Sequence, residues 1–377
     1  MKKIRLLTPG PTPVPERLAL RMARPIVHHR SPEFEAVFAR VREGLAWLLQ
    51  TRQDVLVLAS SGTGAMEAAF VNFLRKGDSA VVVDAGKFGE RWGKLAKGYG
   101  VNAVTLKCEW GSAVEPAAVE KALRDHPGIK AVFVQANESS TGVYHPVREL
   151  AQITARSSAI LVVDAISAVG AMPLPMDEWG IDILLGACHK ALALPPGIAF
   201  LGASEKAWKL NETADLPRFY FDLRRERESQ RKNQTAWTPA IALVEGLDES
   251  LQMFREEGLE ACFARHERLA RAARAGMTAL GLSLYSRSPS NAMTTVLAPA
   301  GIDSEKLVKH LFAEYGIKLV GGQDAAKGKI FRIAHLGYFD EFDILVVIAA
   351  VERGLHDLGA KVSLGAGLAA AQKALAS

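Results

Sequence analysis

Residues 159–203 read AILVVDAISAVGAMPLPMDEWGIDILLGACHKALALPPGIAFLGA, and three short apolar runs stand out within them. The runs are AILVVD, DILLGA and IAFLGA. Continuous apolar runs of this length are typical of strands that are covered on both faces. Lys190 lies between the second and third runs. Moving its ammonium group out of water is costly unless the group is paired, deprotonated or covalently bound.

The same alternation extends towards the N-terminus. From about residue 54, the apolar runs DVLVLA, SAVVVD and KAVFVQ alternate with the helical patterns AMEAAFVNFLRKG, GERWGKLAKGYG and VRELAQITAR. Apolar strands separated by amphipathic helices predict an α/β fold, in which helices cover both faces of a mostly parallel sheet. Gly77 follows two basic residues and predicts the end of the first of these helices.

The C-terminal third has a different pattern. A long periodic stretch over about 239–280 predicts a helix that leads to a second unit. Beyond about residue 281, the runs TTVLAP and KIFRIA mix with the helical patterns DSEKLVKHLFAEYG and EFDILVVIAAVERGLHDLG. This mixture predicts a smaller α+β domain. The Ala-rich tail, LGAGLAAAQKALAS, is expected to be helical.

Composition excludes several classes of function. No apolar stretch approaches the ~18 to 20 residues of a membrane span, and prolines and a glycine interrupt the first residues, so we expect a cytoplasmic protein. The three cysteines are scattered, which predicts neither a disulfide framework nor a metal site. The net charge is +5, and the densest basic stretch, RRERESQRKNQ, contains acids and lacks aromatic residues. We therefore expect no nucleic-acid partner.

A glycine-rich segment, SSGTG at 60–64, follows the run DVLVLA and precedes a helical pattern. Free backbone N–H groups and the helix dipole would favour a phosphate there. A turn that only reverses the chain is an alternative interpretation. A dinucleotide site is another: Asp84 lies near the ~20-residue offset of a ribose-binding acid, although Glu67 stands where a third glycine is expected. A nicotinamide-dependent dehydrogenase therefore remains an alternative.

Two ionisable residues end neighbouring apolar runs. Asp164 ends AILVVD, and Lys190 follows DILLGA. Asp164 alone could be a structural cap. Pyridoxal phosphate, however, needs a lysine for a Schiff base and commonly a carboxylate at its ring nitrogen. With the phosphate site at SSGTG, these residues predict a pyridoxal-phosphate enzyme.

Arg332 interrupts the apparent strand KIFRIA, where a permanent charge is ordinarily excluded. Its planar guanidinium suits bidentate binding of a substrate carboxylate. A structural ion pair is the alternative. Phe88 follows SAVVVD and could cover one face of the cofactor ring, although a single Phe is more often part of the core.

The segments SSGTGAMEAAFVN, NESSTGV, LVVDAISAVGAMPLPMDEWGIDILLGACHKALALPPGIAF and GKIFRIAHLG, in this order, resemble the class V aminotransferases. This family contains fold type I pyridoxal-phosphate enzymes, and its alanine–glyoxylate and serine–glyoxylate branch is the most similar. The resemblance runs from LLTPGPTPVP to the C-terminal domain. It implies a seven-stranded, mostly parallel sheet in a large domain at 20–260, a small α+β domain at 261–377, and an N-terminal segment, 1–19, near the active site.

The resemblance also assigns roles to residues. Lys190 would bind the cofactor, Asp164 its ring nitrogen and Arg332 the substrate carboxylate. The other implied contacts are Ser61, Gly62 and Thr63 at the phosphate, Phe88 on the ring face, Ser139 near the ring hydroxyl, His189 beside the lysine, and Pro9 and Gly10 at the substrate pocket. The family is homodimeric with active sites at the interface, which implies that Gln234, Thr235 and Thr238 reach the phosphate of the partner subunit.

One position departs from the glyoxylate branch, because His189 stands where Gln commonly precedes the lysine. A His-Lys pair is similar to that of cysteine desulfurases. Cys262, the only cysteine after Lys190, falls in a helical pattern, which disfavours desulfuration. We expect an aminotransferase that moves the amino group of alanine or serine to glyoxylate or pyruvate by a ping-pong cycle. Phosphoserine, aspartate, aminoethylphosphonate and ureidoglycine remain alternative donors, and a non-catalytic cofactor-binding homologue is the alternative outside catalysis.

Overall fold

The computed structural model describes residues 2–376. The strands are β1 (Arg5–Leu6), β2 (Val55–Leu58), β3 (Ser79–Asp84), β4 (Asn102–Lys107), β5 (Ile129–Gln135), β6 (Asn137–Glu138), β7 (Val143–Tyr144), β8 (Ile160–Asp164), β9 (Ile183–Ala187), β10 (Ala199–Ala203), β11 (Met293–Leu297), β12 (Ile317–Lys318), β13 (Val320–Gly321) and β14 (Ile330–Ala334).

The helices are α1 (Glu16–Met22), α2 (Pro32–Leu48), α3 (Gly62–Val71), α4 (Lys87–Tyr99), α5 (Pro116–Asp125), α6 (Val147–Thr154), α7 (Met176–Trp179), α8 (Glu205–Asn211), α9 (Leu223–Gln230), α10 (Ile241–Glu257), α11 (Leu259–Ala279), α12 (Ser304–Tyr315), α13 (Glu341–Asp357) and α14 (Ala366–Ala376). In the described part of the chain, no helix is long and apolar enough to cross a membrane.

The large sheet has seven strands in the order β2-β10-β9-β8-β5-β3-β4. Strand β10 is antiparallel to both of its neighbours, and the other six strands run in the same direction. This sheet confirms the predicted α/β fold. Strand β4 is an edge strand whose residues are largely exposed, which explains why it lacks the continuous apolar run of the other strands.

Alternation along the strands divides the core into two layers. In β3, Val81 and Val83 pack on one face of the sheet, whereas Ala80 and Val82 pack on the other. These side chains are fully buried, and burying a Val side chain contributes roughly 1.5–3 kcal/mol. Both faces are therefore covered, as the uninterrupted apolar runs predict.

Helix boundaries differ from the sequence prediction in two places. Helix α3 ends at Val71 rather than near Gly77; the buried Asn72 follows it and donates from its side chain to the carbonyls of Ala68, in the last turn, and Phe221, in a distant segment. The periodic stretch at 239–280 forms two helices, because Gly258 adopts φ +84° between α10 and α11.

The C-terminal part contains a three-stranded antiparallel sheet in the order β11-β14-β13. Helices α11, α13 and α14 pack together beside it, and the predicted helical tail corresponds to α14. Strand β1 pairs in parallel with β12, so the N-terminal segment joins the C-terminal part. The domain boundaries at 19/20 and 260/261 remain a prediction.

Candidate active site

The carboxyl ends of the parallel strands bring the predicted site residues to one edge of the large sheet. A cavity of about 180 Å³ opens there. Its lining consists of Ser61, Gly62, Thr63, Phe88, Arg91, Ser139, Asp164, Ile166, Ser167, His189 and Lys190. Eight residues predicted from widely separated segments therefore share one cavity, as expected for the carboxyl edge of an open α/β sheet.

Lys190 is buried, and its Nζ donates a 2.7 Å hydrogen bond to the carbonyl of Pro9. Burial lowers the pKa of Lys190 to about 8, and the charges of Arg332 and Arg91 act in the same direction, whereas Asp164 opposes them. An amine with this pKa is partly neutral near neutral pH. It can therefore act as a nucleophile or accept a proton.

Asp164 lies at the end of β8, and burial raises its pKa to about 7. The amide of Ile166 donates to its Oδ1 at 2.9 Å. No other hydrogen bond to this carboxyl group is found within residues 2–376, so Oδ2 can accept one at the cavity wall. A buried carboxylate with a free oxygen is suited to a protonated ring nitrogen.

The opposite wall is the N-terminus of α3. The Ser61 side chain does not cap this helix, so amides of its first turn face the cavity without a cap from that residue. A Cβ on Gly62 would lie 2.5 Å from Ile166 Cδ1, so a larger residue would force the Ile166 side chain in the cavity wall to move. Uncapped amides and the helix dipole favour an anion such as a phosphate.

Arg91 also belongs to the site, although we did not predict it. Its Nη1 donates to Thr63 Oγ1 at 2.9 Å, and its guanidinium lies 4.9 Å from the centre of the Phe88 ring. Arg91 therefore adds positive charge beside the helix N-terminus and packs against the ring that lines the cavity. Its spacing of three residues from Phe88 in one helix is the signal that could have revealed it.

Arg332 adjoins this cavity through Ser139. Its Nη1 donates to the Ser139 carbonyl at 2.7 Å, and its Nε and Nη2 donate to the Gly321 carbonyl at 3.1 and 2.9 Å. Burial lowers the pKa of Arg332 to about 10, so it remains charged at neutral pH. No carboxylate of the described residues lies within ion-pairing distance of it. The predicted alternative, a structural ion pair, is therefore absent from this part of the chain.

The N-terminal segment contacts Lys190 through Pro9 and Gly10, the two residues predicted at the substrate pocket. Gly10 has φ +136°, and a Cβ at this position would overlap Lys190 Nζ. Thr12 Oγ1 donates to the Lys190 carbonyl at 2.7 Å, which fixes the segment on the strand end. Glycine is required here by both conformation and space.

His189 lines the cavity, and its Nδ1 is buried with no hydrogen-bond partner among residues 2–376. Burial lowers the pKa of His189 to about 4, and the neighbouring Lys190 adds to this effect, so the imidazole is neutral at pH 7. A neutral ring with one unused nitrogen can donate to or accept from a bound molecule.

Three predicted residues lie outside this cavity within the chain. Gln234 binds Arg30 and Glu35, and Thr235 Oγ1 donates to the carbonyl of Trp237 at 2.6 Å. Thr238 lines a separate small cavity together with Trp237. Within the described chain, these three residues therefore do not line the cavity that contains the other predicted cofactor residues.

A larger cavity of about 380 Å³ lies beside Ala191, Leu192 and Ala193. The acidic and basic groups in its lining are engaged with one another: Arg265 pairs with Glu257, and Asp340 and Asp343 form the capping box of α13. The smaller cavity is the better candidate, since Asp164 Oδ2 and His189 Nδ1 in its lining have no hydrogen-bond partner among residues 2–376. Within residues 2–376, no group of three or more His, Cys, Asp or Glu residues is arranged to hold a metal ion.

The residues at the sheet edge suit pyridoxal phosphate on three counts: a buried amine of lowered pKa, a carboxylate oxygen free to accept, and an uncapped helix N-terminus. The mostly parallel sheet that presents these groups together is the fold of the type I class of pyridoxal-phosphate enzymes, as in the solved aminotransferases that the chain resembles. The family model of class V aminotransferases matches residues 18–338, and the chain belongs to this family. It is a pyridoxal-phosphate-dependent aminotransferase.

Individual relatives and solved structures are similar over nearly the whole chain. A protein named soluble hydrogenase, small subunit, from Synechococcus is 42% identical over 100% of this chain and 99% of its own length. The serine–glyoxylate aminotransferase of Methylorubrum extorquens is 35% identical over 98% of this chain and 95% of its own. The ureidoglycine–glyoxylate aminotransferase of Bacillus subtilis superposes with a TM-score of 0.95 at 29% identity, over 100% of this chain and 99% of the other.

Proposed function

We propose that this aminotransferase transfers the amino group of a small amino acid, alanine or serine, to glyoxylate or pyruvate in a ping-pong cycle. The observation that carries the proposal is the buried Arg332 guanidinium, which binds the carbonyl of the cavity residue Ser139 and lacks a carboxylate partner in the described chain. Both substrates of such a cycle carry a carboxylate beside the reacting carbon. One unpaired arginine can therefore orient both of them.

We further propose the following contacts for the cofactor. Lys190 binds it covalently, Asp164 accepts a hydrogen bond from its ring nitrogen, and the amides of Gly62 and Thr63 bind its phosphate together with Ser61. Phe88 covers one face of its ring, while Ser139 and His189 lie near its polar substituents. When bound, pyridoxal phosphate withdraws electrons from the α-carbon of the substrate.

The protein residues orient the substrate, transfer the proton and exclude water. Arg332 holds the substrate carboxylate, which presents the α-carbon to the Lys190 side chain. Lys190 Nζ, once released, would remove the α-proton of the substrate and deliver it to a carbon of the cofactor, and its lowered pKa suits both transfers. The N-terminal segment at Pro9 and Gly10 excludes water from this amine.

Names of the relatives support glyoxylate as the acceptor, since the Methylorubrum and Bacillus proteins both carry it in their names. They differ in the donor. Phosphoserine, aspartate, aminoethylphosphonate and ureidoglycine therefore stay as alternative donors within this proposal.

We propose a cytoplasmic homodimer in which the segment around Gln234, Thr235 and Thr238 completes the site of the partner subunit. An exposed aromatic cluster beside this segment supports the proposal. Phe219 is 69% exposed and Tyr220 43%, and both rings contact the ring of Trp237. Large exposed aromatic groups around a site segment are typical of a protein interface.

A panel of amino donors, each paired with glyoxylate, pyruvate and 2-oxoglutarate, tests the proposed substrates. We expect alanine or serine with glyoxylate or pyruvate to give the highest kcat/KM. Another donor with a clearly higher kcat/KM would replace this substrate assignment. Lys190→Ala serves as the control, because it should keep the fold, abolish turnover and no longer retain the cofactor after borohydride reduction.

A further inference from the structure

The carboxylate of Glu138 has no role in the reaction scheme above, yet it lies between Phe88 and the residue that binds Arg332. Glu138 is fully buried at the end of β6 and accepts four hydrogen bonds. Its Oε2 accepts from the amides of Phe88 at 3.0 Å and Gly89 at 2.9 Å, and its Oε1 accepts from the amide of Ser140 at 3.1 Å and the hydroxyl of Ser140 at 2.6 Å.

These bonds replace a helix cap. Helix α4 starts at Lys87 after Gly86, which has no side chain to bind the first amides. Ser140 Oγ accepts from the amide of Lys87 at 3.1 Å, and Glu138 accepts from the next two amides. A carboxylate from a distant segment therefore caps α4 and compensates its dipole. A Cβ on Gly86 would overlap this carboxylate, so the fit is close.

Glu138 also acts on the other side of the site. The next residue, Ser139, provides the carbonyl that accepts from Arg332 Nη1 at 2.7 Å. The negative charge of Glu138 is the strongest of the charges that favour the protonated form of Arg332. The same side chain is thus bonded to the backbone of the ring-facing Phe88 and is adjacent in sequence to the residue that orients Arg332.

We propose that Glu138 is a positioning residue, which sets the ring of Phe88 against the cofactor and the guanidinium of Arg332 against the substrate carboxylate. This inference rests on the roles proposed above for Phe88 and Arg332. Glu138 itself touches neither substrate nor cofactor in the proposed scheme. It acts through the start of α4 and through Ser139.

Glu138→Gln is the informative variant. Each carboxylate oxygen accepts two donors, so an amide nitrogen at either place would face N–H or O–H donors and could not accept from them. Leaving buried donors unpaired is costly, and we expect the apo protein to bind pyridoxal phosphate about 10-fold more weakly or worse. The KM values of the amino donor and the oxo acid should rise together, because both depend on Arg332.

Asp182→Asn is a matched control. Asp182 is also buried, and it accepts from the amide of Leu161 and the hydroxyl of Ser204 at the opposite end of the sheet, just before β9. It should lower stability without changing cofactor affinity or KM. Equal cofactor affinities of Glu138→Gln and Asp182→Asn would overturn the proposal.

A double-mutant cycle separates positioning from general destabilisation. If Glu138 acts on the cofactor through Phe88, the loss of cofactor affinity in Glu138→Gln should largely disappear in a Phe88→Ala background. Additive losses would contradict the proposal. Should Glu138→Gln fail to fold, amide exchange in the wild-type apo protein decides: the Phe88 and Gly89 amides should exchange slowly before cofactor is added, and rapid exchange would count against the capping role. A wild-type protein that takes up no pyridoxal phosphate would instead refute the proposed function.

Discussion

At the scale of single residues, the site combines groups whose charge is costly to bury. Lys190, Asp164 and Arg332 are all buried, and burial shifts each pKa towards the neutral form. Bound substrate and cofactor would supply the missing counter-charges, namely a carboxylate for Arg332 and a protonated ring nitrogen for Asp164. Pairing of these charges would therefore provide binding energy that orients the substrate and the cofactor for the reaction.

Arg332→Ala should weaken the binding of both substrates. Removing one partner of a desolvated charge pair costs at least ~2 kcal/mol, so KM should rise by a factor of about 30 or more for the amino acid and the oxo acid alike. Steady-state kinetics in both half-reactions measures this change. Arg274→Ala is the control, because Arg274 is a partly buried arginine that binds the Ser290 carbonyl and Asn291 away from the cavity. Unchanged KM values in Arg332→Ala would mean that the guanidinium serves only to link the carbonyls of Ser139 and Gly321 and does not bind substrate.

The pKa of Lys190 predicts a pH dependence for capture of the cofactor. Because the pKa is lowered to about 8 from 10.5, half of the amine is neutral near pH 8, and the neutral fraction levels off about one pH unit above that pKa. The rate at which the apo protein becomes yellow with pyridoxal phosphate should follow this curve. A rate that continued to rise up to pH 10 would show that the lysine has its ordinary pKa.

At the scale of elements, replacing two glycines of α4 by alanine should change the free energy of unfolding in opposite directions. A Cβ on Gly93 would contact nothing within 4 Å, so Gly93→Ala should raise the free energy of unfolding by about 0.5–1 kcal/mol through helix propensity. A Cβ on Gly89 would lie 2.6 Å from the Val83 carbonyl oxygen, which belongs to the backbone of β3 and cannot yield easily. Gly89→Ala should therefore lower stability. Denaturant unfolding of both variants gives the two signs, and the same sign in both would contradict this packing.

The strands of the large sheet were predictable in proportion to their burial. Runs such as AILVVD and DILLGA are buried on both faces, and their apolar composition alone predicts them. The edge strand β4 is mostly exposed and could not be recognised in this way. At the early end of α3, Asn72 binds the distant carbonyl of Phe221, a contact that local helix signals do not reveal.

The site was predictable where a residue directly follows a buried strand. Lys190 and Asp164 stand at such positions, and parallel strands bring their carboxyl ends together whatever the intervening sequence. Arg91 and Glu138 were not assigned roles, because their importance depends on contacts with other segments. Arg91 looks like an ordinary surface charge of α4, and Glu138 gains its role from amides that precede it by about 50 residues.

At the scale of the whole molecule, part of the proposed cofactor site lies away from the cavity in the described chain. The segment with Gln234, Thr235 and Thr238 lies outside the cavity, beside the exposed rings of Phe219 and Tyr220. A second copy that covers these rings would hide apolar surface and could place the segment against the first copy's cavity. The homodimer and the shared site are thus one proposal.

Mixed dimers test that proposal directly. Lys190→Ala removes the amine, and Thr238→Glu would place a negative charge against the cofactor phosphate, so each variant alone should be inactive. If Thr238 acts across the interface, a mixed dimer contains one wholly wild-type site, made of Lys190 from one chain and Thr238 from the other, and co-expression should restore transamination. If Thr238 acts within its own chain, both sites of the mixed dimer stay defective. Activity is measured on differently tagged chains purified as a pair, with the separately expressed variants as controls. An inactive pair of confirmed dimeric mass would refute the shared site, because the dimer would then have formed without exchanging these residues.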